Sequence, residues 1–257
     1  MPLITFLSDF GYTDHYVAAV KASILKISPQ AQILDISHAI DAFNIAHGYY
    51  VLQAIYRDFP EGTVHLVAVD SQGSTDGRYH AVKYKNHYFL AADNGILSLL
   101  TESQPDLLVE INTEGPVAHP AKQVLGPAAA FLAQGGDMRE LGTETKSMRE
   151  LLNRQLRLTD HAITGHVIHV DHYGNLVTDI SQDSMDAIGH GRQFTIKFGR
   201  ETVERISPSF NAVDEGDCVC VYTSAGQLII GINKGNAAEL LGLYFDSRVD
   251  VSFFPKS

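Results

Sequence analysis

Along the first 140 residues, apolar runs alternate with amphipathic ones in a regular order. "LITFLSDF" (3–10) is almost continuously apolar at its start, which predicts a strand buried on both faces. "HYVAAVKASILKISP" (15–29) spaces its apolar residues as a helix does and stops at Pro29. "QILDIS" (32–37) predicts a second strand, and "FNIAHGYYVLQAIYRDFP" (43–60) a second helix ended by Pro60. "TVHLVAVD" and "HAVKYKNHYFLAAD" follow, then a short helix from "GILSLL", the strand "LLVEI", and the helix "GPAAAFLAQGG" with Pro127 at its start. The β-α-β-α order predicts an α/β fold with a mainly parallel sheet flanked by helices. Beyond the polar stretch "ETKSMRELLNRQLRLTDHAITG", read as a linker, helical spacing disappears. "HVIHVDHYGNLVTDI", "RQFTIKFGRETVERI", "DCVCVYTS" and "QLIIGINKG" predict short strands of a small antiparallel β-barrel domain. The expected division is 1–155 for the N-terminal α/β domain and 156–257 for the C-terminal β-barrel domain.

Composition narrows the function more than the fold. The 257 residues carry a formal net charge of -11, which disfavours nucleic acid, whose binders present a basic face. No apolar run approaches the roughly 18 residues of a membrane span, and the N-terminus lacks the basic and apolar regions of a signal peptide. A cytoplasmic enzyme is the expectation. The two cysteines, Cys218 and Cys220, fall on one face of a predicted strand, too poorly placed for a disulfide and too few for structural zinc. They read as reduced, buried residues.

In an open parallel sheet the informative residues lie just after each strand. Those ends carry Asp9 to Asp14, His38 to Phe43, Asp70 to Arg78, and Asp93-Asn94-Gly95. The first loop has one glycine, Gly11, and so lacks the phosphate cradles G-x-G-x-x-G and G-x-x-x-x-G-K-[ST]. Carboxylates there repel phosphate and suit ribose hydroxyls, an ammonium or another cationic centre. The competing reading is that Asp9 and Asp14 merely cap the next helix. In "AVDSQGSTDGR", Asp70 and Arg78 form a candidate pair in which the guanidinium orients a carboxylate that places a nucleophile. A plain structural salt bridge is the alternative. The twelve histidines include no H-E-x-x-H, so no metal is expected, and no G-x-S-x-G supplies a serine nucleophile. In "VDHYGNLVTDI", Asp171, Tyr173 and Asn175 surround a turn, an aromatic face beside polar groups that fits a purine. Ser224 and Ala237 flank the hairpin strand "QLIIGINKG".

Seven segments then occur in order: "ITFLSDFGYTDHYVAAVKASI", "ILDISHAIDAFNIAHGYYVL", "FPEGTVHLVAVD", "LAADNGILS", "GPAAAFLAQG", "VIHVDHYGNLVTDI" and "SAGQLIIGINKGNAA". Together they resemble the S-adenosylmethionine hydroxide adenosyltransferase family, relatives of the fluorinase and chlorinase, over nearly the whole chain. The resemblance implies a larger α/β domain plus a small β-barrel domain, and a homotrimer with active sites between subunits. It also implies hydrolysis of S-adenosyl-L-methionine to adenosine and L-methionine by water or hydroxide attack at ribose C5′, without a cofactor. By resemblance, Asp9 holds the ribose hydroxyls, Phe43 lines the ribose pocket, and Asn94 joins the substrate-binding set. Asp171, Tyr173 and Asn175 match the D-x-[FY]-G-N segment that contacts the methionine ammonium, stacks on adenine and hydrogen-bonds the ligand. Ser224 and Ala237 fall where the family binds the methionine carboxylate and the adenine edge.

The implied catalytic set is Asp70, Arg78 and His119, with two departures from the family pattern. In the V-D-P-G-V-G-T-x-R-like loop the proline is Ser71, and one extra residue precedes Arg78. In the F-H-G-R-D-like segment Pro120 aligns with the histidine, His119 lies one place early, and Lys122 and Gln123 replace the Arg and Asp. Two other readings compete with the hydrolase: a module that binds S-adenosylmethionine or adenosine without turnover, and a halogenase.

Overall fold

The computed structural model describes residues 3–74, 76–101, 103–115, 117–152 and 155–255. The chain divides into two compact units, residues 1–153 and 154–257.

The first unit is built on a seven-stranded sheet. Its strands are β1 (Leu3–Ser8), β2 (Gln32–Ser37), β3 (Val64–Ala68), β4 (Tyr79–Tyr84), β5 (His87–Ala92), β6 (Leu107–Ile111) and β7 (Gly142–Glu144), in the order β2-β1-β3-β5-β4-β6-β7. The pairs β2/β1, β1/β3 and β3/β5 are parallel, while β4 lies antiparallel to β5 and β6, and β7 antiparallel to β6. Strands β1 and β3 are buried along nearly their whole length because helices cover both faces. On one face Ile4, Phe6, Leu66 and Ala68 pack against Val20 and Ile24 of α1 (Tyr16–Ile27). On the other, Leu7, Val67 and Val69 pack against Leu52 of α2 (Ile45–Ile55) and Leu97 of α3 (Ile96–Leu100). The alternation along each strand is the period-2 side-chain geometry of an extended chain. A wide π-type turn, Ala121–Leu125, leads into α4 (Gly126–Ala133), which packs beside α1.

The segment "HAVKYKNHYFLAAD" forms a hairpin, and this makes the sheet mixed. Its turn residues Lys85 and Asn86 both have left-handed φ, 48° and 61°, as a two-residue primed turn requires. Asn is a usual occupant of that conformation and Lys is not, so the turn carries only half its sequence signal.

The second unit is an antiparallel sheet of β8 (Arg157–Thr159), β9 (Ala162–Val170), β10 (Leu176–Ser181), β11 (Phe194–Phe198), β12 (Glu201–Val203), β13 (Cys218–Tyr222), β14 (Gln227–Ile232) and β15 (Arg248–Phe253). The order is β12-β11-β15-β9-β10-β14-β13, with β8 added beside β9, and β12 and β13 come into contact, so the sheet nearly closes as a barrel. Its core holds Ile163, Leu176, Phe198, Ile230 and Val251. Two short helices lie outside the strands that the sequence pattern predicts, α5 (Gln182–Gly189) after "HVIHVDHYGNLVTDI" and α6 (Ala237–Leu241) after "QLIIGINKG". Helix α5 is held by a capping box between Ser181 and Ser184 and buries Met185 and Gly189, a short apolar face on an otherwise polar segment. Cys218 and Cys220 are free thiols, and burial pushes the Cys220 thiol up to about 12.

Beneath the first sheet runs a buried polar chain. Thr5 Oγ1 lies 2.7 Å from His65 Nδ1, and His65 Nε2 lies 3.1 Å from His87 Nδ1. Burial, and next His87, pushes His65 down to about 3 from 6.5. The folded chain therefore holds His65 neutral across a range where the unfolded chain protonates it. Its contribution to stability is full above 6.5 and is lost as pH falls toward 3. Melting curves should show this as a decline in Tm below pH 6.5, shallower in His65→Gln, which keeps an amide for hydrogen bonding and has no charge to gain.

Candidate active site

Asp9 follows β1 directly, and its carboxylate binds the loops after β2 and β3. Asp9 Oδ2 accepts the backbone N–H of Phe43 at 2.9 Å and that of Asp70 at 3.0 Å. Phe43 and Asp70 are both left-handed, with φ of 65° and 45°. That conformation is costly for residues with a Cβ and persists where surrounding groups over-determine it. Asp9 is thus committed to the architecture of the strand ends, and the first helix does without it. The N-cap of α1 is His15, with no side-chain cap, so neither Asp9 nor Asp14 has the capping role that local sequence suggests.

The three joined loops frame a cleft of about 630 Å³. Phe10, Tyr16 and Phe43 give it aromatic walls, Asp9 and Asp70 supply carboxylates, and His119 and Lys122 line the far side. Phe43 is 74% exposed, an aromatic ring held out in a strained backbone. Strain and exposure together mark a ligand-facing position. The cleft sits at the C-terminal ends of β1 and β3, where the chain switches from β2 on one side of β1 to β3 on the other, the place where open α/β sheets take ligands.

Asp70 starts a tight turn closed by the Gly73 N–H to the Asp70 carbonyl at 2.9 Å. A Cβ at Gly73 would collide with the Asp70 carboxylate, so the glycine lets the side chain fold back over the turn. Burial, then the neighbouring Asp9 charge, raises the Asp70 carboxyl above its ordinary value, while Arg149 pulls it down. A carboxylate poised upward in this way is better suited to accept a proton near neutral pH. Gln72 donates to the Ala118 carbonyl at 2.8 Å and ties the Asp70 turn to the His119 segment. There the His119 N–H donates to Gln123 Oε1 at 2.7 Å, and the His119 carbonyl accepts the N–H of Gln123 at 2.8 Å. His119 therefore lines the same cleft as Asp70 despite its displaced position in the sequence.

Arg78 does not form the expected pair with Asp70. Its guanidinium lies 2.9 Å from Asp93 Oδ2 and 3.8 Å from Asp76. The reason is topological: Arg78 immediately precedes β4, which pairs with β5, so it faces the end of β5, where Asp93 stands. Asn94 is buried beneath the cleft rather than lining it. Its amide donates to the carbonyls of Val69 and Asp70 at 2.9 and 3.0 Å and accepts the Ile96 N–H at 3.1 Å, so it braces the β3 end.

In the second unit, Asp171 shapes the turn after β9. Its carboxylate accepts N–H groups from Tyr173, Asn175 and the Asn175 side chain, each at 2.9 Å. Tyr173 is presented outward, 76% exposed. Gly174 is left-handed and backs onto the Asn236 side chain, with the Gly174 carbonyl accepting the Ala238 N–H at 2.9 Å. Asp171, Tyr173, Asn175 and the fully buried Ala237 are thus neighbours. Ser224 stands apart from them, in the exposed turn at the opposite end of β14, roughly 20 Å away at strand rise.

Fold and cleft together define a two-unit α/β protein whose strand-end site is acidic, aromatic and without a phosphate cradle. Residues 4–142 match the SAM hydroxide adenosyltransferase N-terminal domain and residues 165–250 the C-terminal domain. The chain belongs to the SAM hydroxide adenosyltransferase family, SAM being S-adenosylmethionine. It is 30% identical to the (R)-S-adenosyl-L-methionine hydrolase of Thermus thermophilus, covering 93% of this chain and 95% of that one. It is 25% identical to the fluorinase of Nocardia brasiliensis, with 92% of each chain covered. A crystal structure of an uncharacterized conserved protein from Thermotoga maritima superposes with a TM-score of 0.88 at 30% identity, covering 97% of this chain and 99% of that one.

The double hydrogen bond to Asp9 makes a stability prediction. Asp9→Ala should destabilise the fold by about 1–3 kcal/mol in urea titration, because two strained N–H groups lose their acceptor. Asp9→Asn, which keeps a carbonyl oxygen at that position, should lose much less.

Proposed function

We propose that this protein hydrolyses S-adenosyl-L-methionine to adenosine and L-methionine. The observation that carries the reading is the Asp9–Asp70 cleft itself: paired carboxylates among aromatic rings, with no phosphate cradle, suit a cationic nucleoside. In the reaction, water oxygen bonds to ribose C5′ while the C5′–S bond breaks and its electron pair returns to sulfur as the thioether of methionine. The proton leaves the water for the Asp70 carboxylate and then solvent. The sulfonium is already a good leaving group, so alignment and a partly desolvated nucleophile are the protein's main contributions. His119, on the same cleft, is the second group placed to hold the water, and Asp9 and Phe43 receive the ribose. Tyr173 offers its exposed face to adenine, with Asp171, Asn175 and the Ala237 main chain as further ligand contacts supplied by a neighbouring copy in a homotrimer; Ser224, at the far end of β14, is left outside this set. Free thiols and an intracellular substrate support a cytoplasmic location. No helix among the described residues is long and apolar enough to cross a membrane.

A halogenase reading draws on the fluorinase relatives, and a non-catalytic binding reading on the altered histidine segment. Incubation of the purified protein with each sulfonium epimer of S-adenosylmethionine, followed by chromatography, separates all three. Adenosine release supports the hydrolase, a chloride-dependent 5′-chloro product the halogenase, and calorimetric binding without turnover the binding module. Asp70→Asn should abolish adenosine release while weakening ligand binding far less, since a water-positioning group acts mainly in the transition state and Asp9 keeps its charge in the cleft. The same variant should melt a few degrees higher at neutral pH. A carboxyl whose folded pKa is raised stabilises the fold only while protonated, so the ionised form is a cost that the neutral amide removes. Sedimentation equilibrium should give three times the 28.1 kDa chain mass, and a monomer would overturn the trimer.

A further inference from the structure

We propose that Arg149, rather than Arg78, is the positioning residue for Asp70: a short strap of chain lays its guanidinium on the turn that carries the candidate base. The proposal rests on the hydrolase reading above for its kinetic consequences and on the strap's geometry for its placement. Arg149 lies in the charged stretch that the sequence pattern reads as linker, yet residues 148–151 are firmly attached to the first unit. The Arg149 N–H donates to Asp93 Oδ1 at 2.6 Å, and the Leu151 N–H donates to Ser98 Oγ at 2.9 Å. The Leu151 side chain covers Gly95, which is left-handed and leaves no room for a Cβ, and Met148 packs against the core beneath α2 and α3. From that anchorage Arg149 Nη1 reaches to 3.5 Å from the Gly73 carbonyl, on the residue over which the Asp70 carboxylate is folded.

Asp93 connects the two arginines. Its Oδ2 takes the Arg78 guanidinium at 2.9 Å while its Oδ1 takes the Arg149 main chain at 2.6 Å. Arg78 thereby neutralises the buried carboxylate that fixes the strap, and Arg149, exposed at its tip, is the cation whose charge acts on Asp70. Around Asp70 the charged groups are Asp9 from the end of β1 and Arg149 from the strap, with His15, His119 and Lys122 lining the cleft. Asp9 pushes the Asp70 carboxyl up and Arg149 pushes it down. Two opposed neighbours let the site keep a carboxylate that is ionised in use and still basic enough to take a proton.

Substitution at Arg149 spares the strap, because both of its anchoring donors are main-chain groups. Arg149→Gln should lower kcat for S-adenosylmethionine by about tenfold near pH 6 while KM changes less than about twofold. The acid limb of the kcat profile should move to higher pH, and Arg149→Lys should restore part of both. In protein labelled with carbon-13 at aspartate carboxyls, the Asp70 resonance, assigned by its loss in Asp70→Asn, should titrate at higher pH in Arg149→Gln. Arg78→Gln should instead lower Tm and leave that titration in place. The proposal is overturned if Arg149→Gln leaves the Asp70 titration unchanged, or if Arg78→Gln is the variant that moves it. Absence of adenosine from the wild-type protein would sink the hydrolase reading, and the carboxyl titration would still decide the role of Arg149.

Discussion

One carboxylate oxygen holds the site together. Parallel strands deliver their C-terminal ends side by side, but the loops that leave β2 and β3 run on to different elements, α2 and β4. Asp9 Oδ2 ties them together by accepting N–H groups from the loops after both neighbouring strands. The geometry demands left-handed backbone at Phe43 and Asp70, which turns an aromatic ring and a carboxylate toward the same space. An aliphatic residue at position 9 would preserve the core of the unit and lose the convergence. Asn94 applies the same constraint from below, with its amide on the carbonyls of Val69 and Asp70.

The layered fold is legible in the sequence wherever burial is two-sided. Strands such as "LITFLS" and "VHLVA" are covered on both faces, so their apolar runs have no other stable arrangement in a soluble chain. The features that escape are those decided by local hydrogen bonds. The Lys85-Asn86 turn reverses a strand with one favourable residue of two, and α5 depends on two serines bonding each other's backbone. The turn leaves no periodic trace, and in α5 the trace is confined to Met185, Ile188 and Gly189. Part of the stretch read as linker is bound for a related reason: residues 148–151 are held by main-chain donors and two apolar contacts, while the division between the units, after residue 153, falls inside that stretch.

The site divides along the same line. Asp9, Phe43 and Asp70 are recognisable because the ends of parallel strands are ligand positions on general grounds, and His119 because the family pattern places a histidine near it. The partner of Arg78 is not recognisable, since it depends on β4 running antiparallel to β5, which carries Arg78 to Asp93. Arg149 lies about eighty residues from Asp70 in sequence and carries no motif. Its place beside the Asp70 turn is visible only once the strap is seen crossing Asp93 and Gly95.

Asp70 shows how stability and chemistry oppose each other here. A left-handed φ, partial burial and the adjacent Asp9 charge all disfavour an ionised carboxylate at that position. A sequence selected for stability alone would place glycine or asparagine there. The cost is tolerated because each element of it also serves the reaction. The backbone strain aims the side chain, burial strips water from it, and the Asp9 charge raises its basicity. Arg149 then limits the cost by supplying a countercharge from an exposed strap, where a cation adds no burial penalty of its own. Had the countercharge come from Arg78, its guanidinium would have had to serve both Asp70 and the buried Asp93, weakening the compensation of Asp93 at the sheet end. The division of labour between the two arginines follows from that electrostatic requirement.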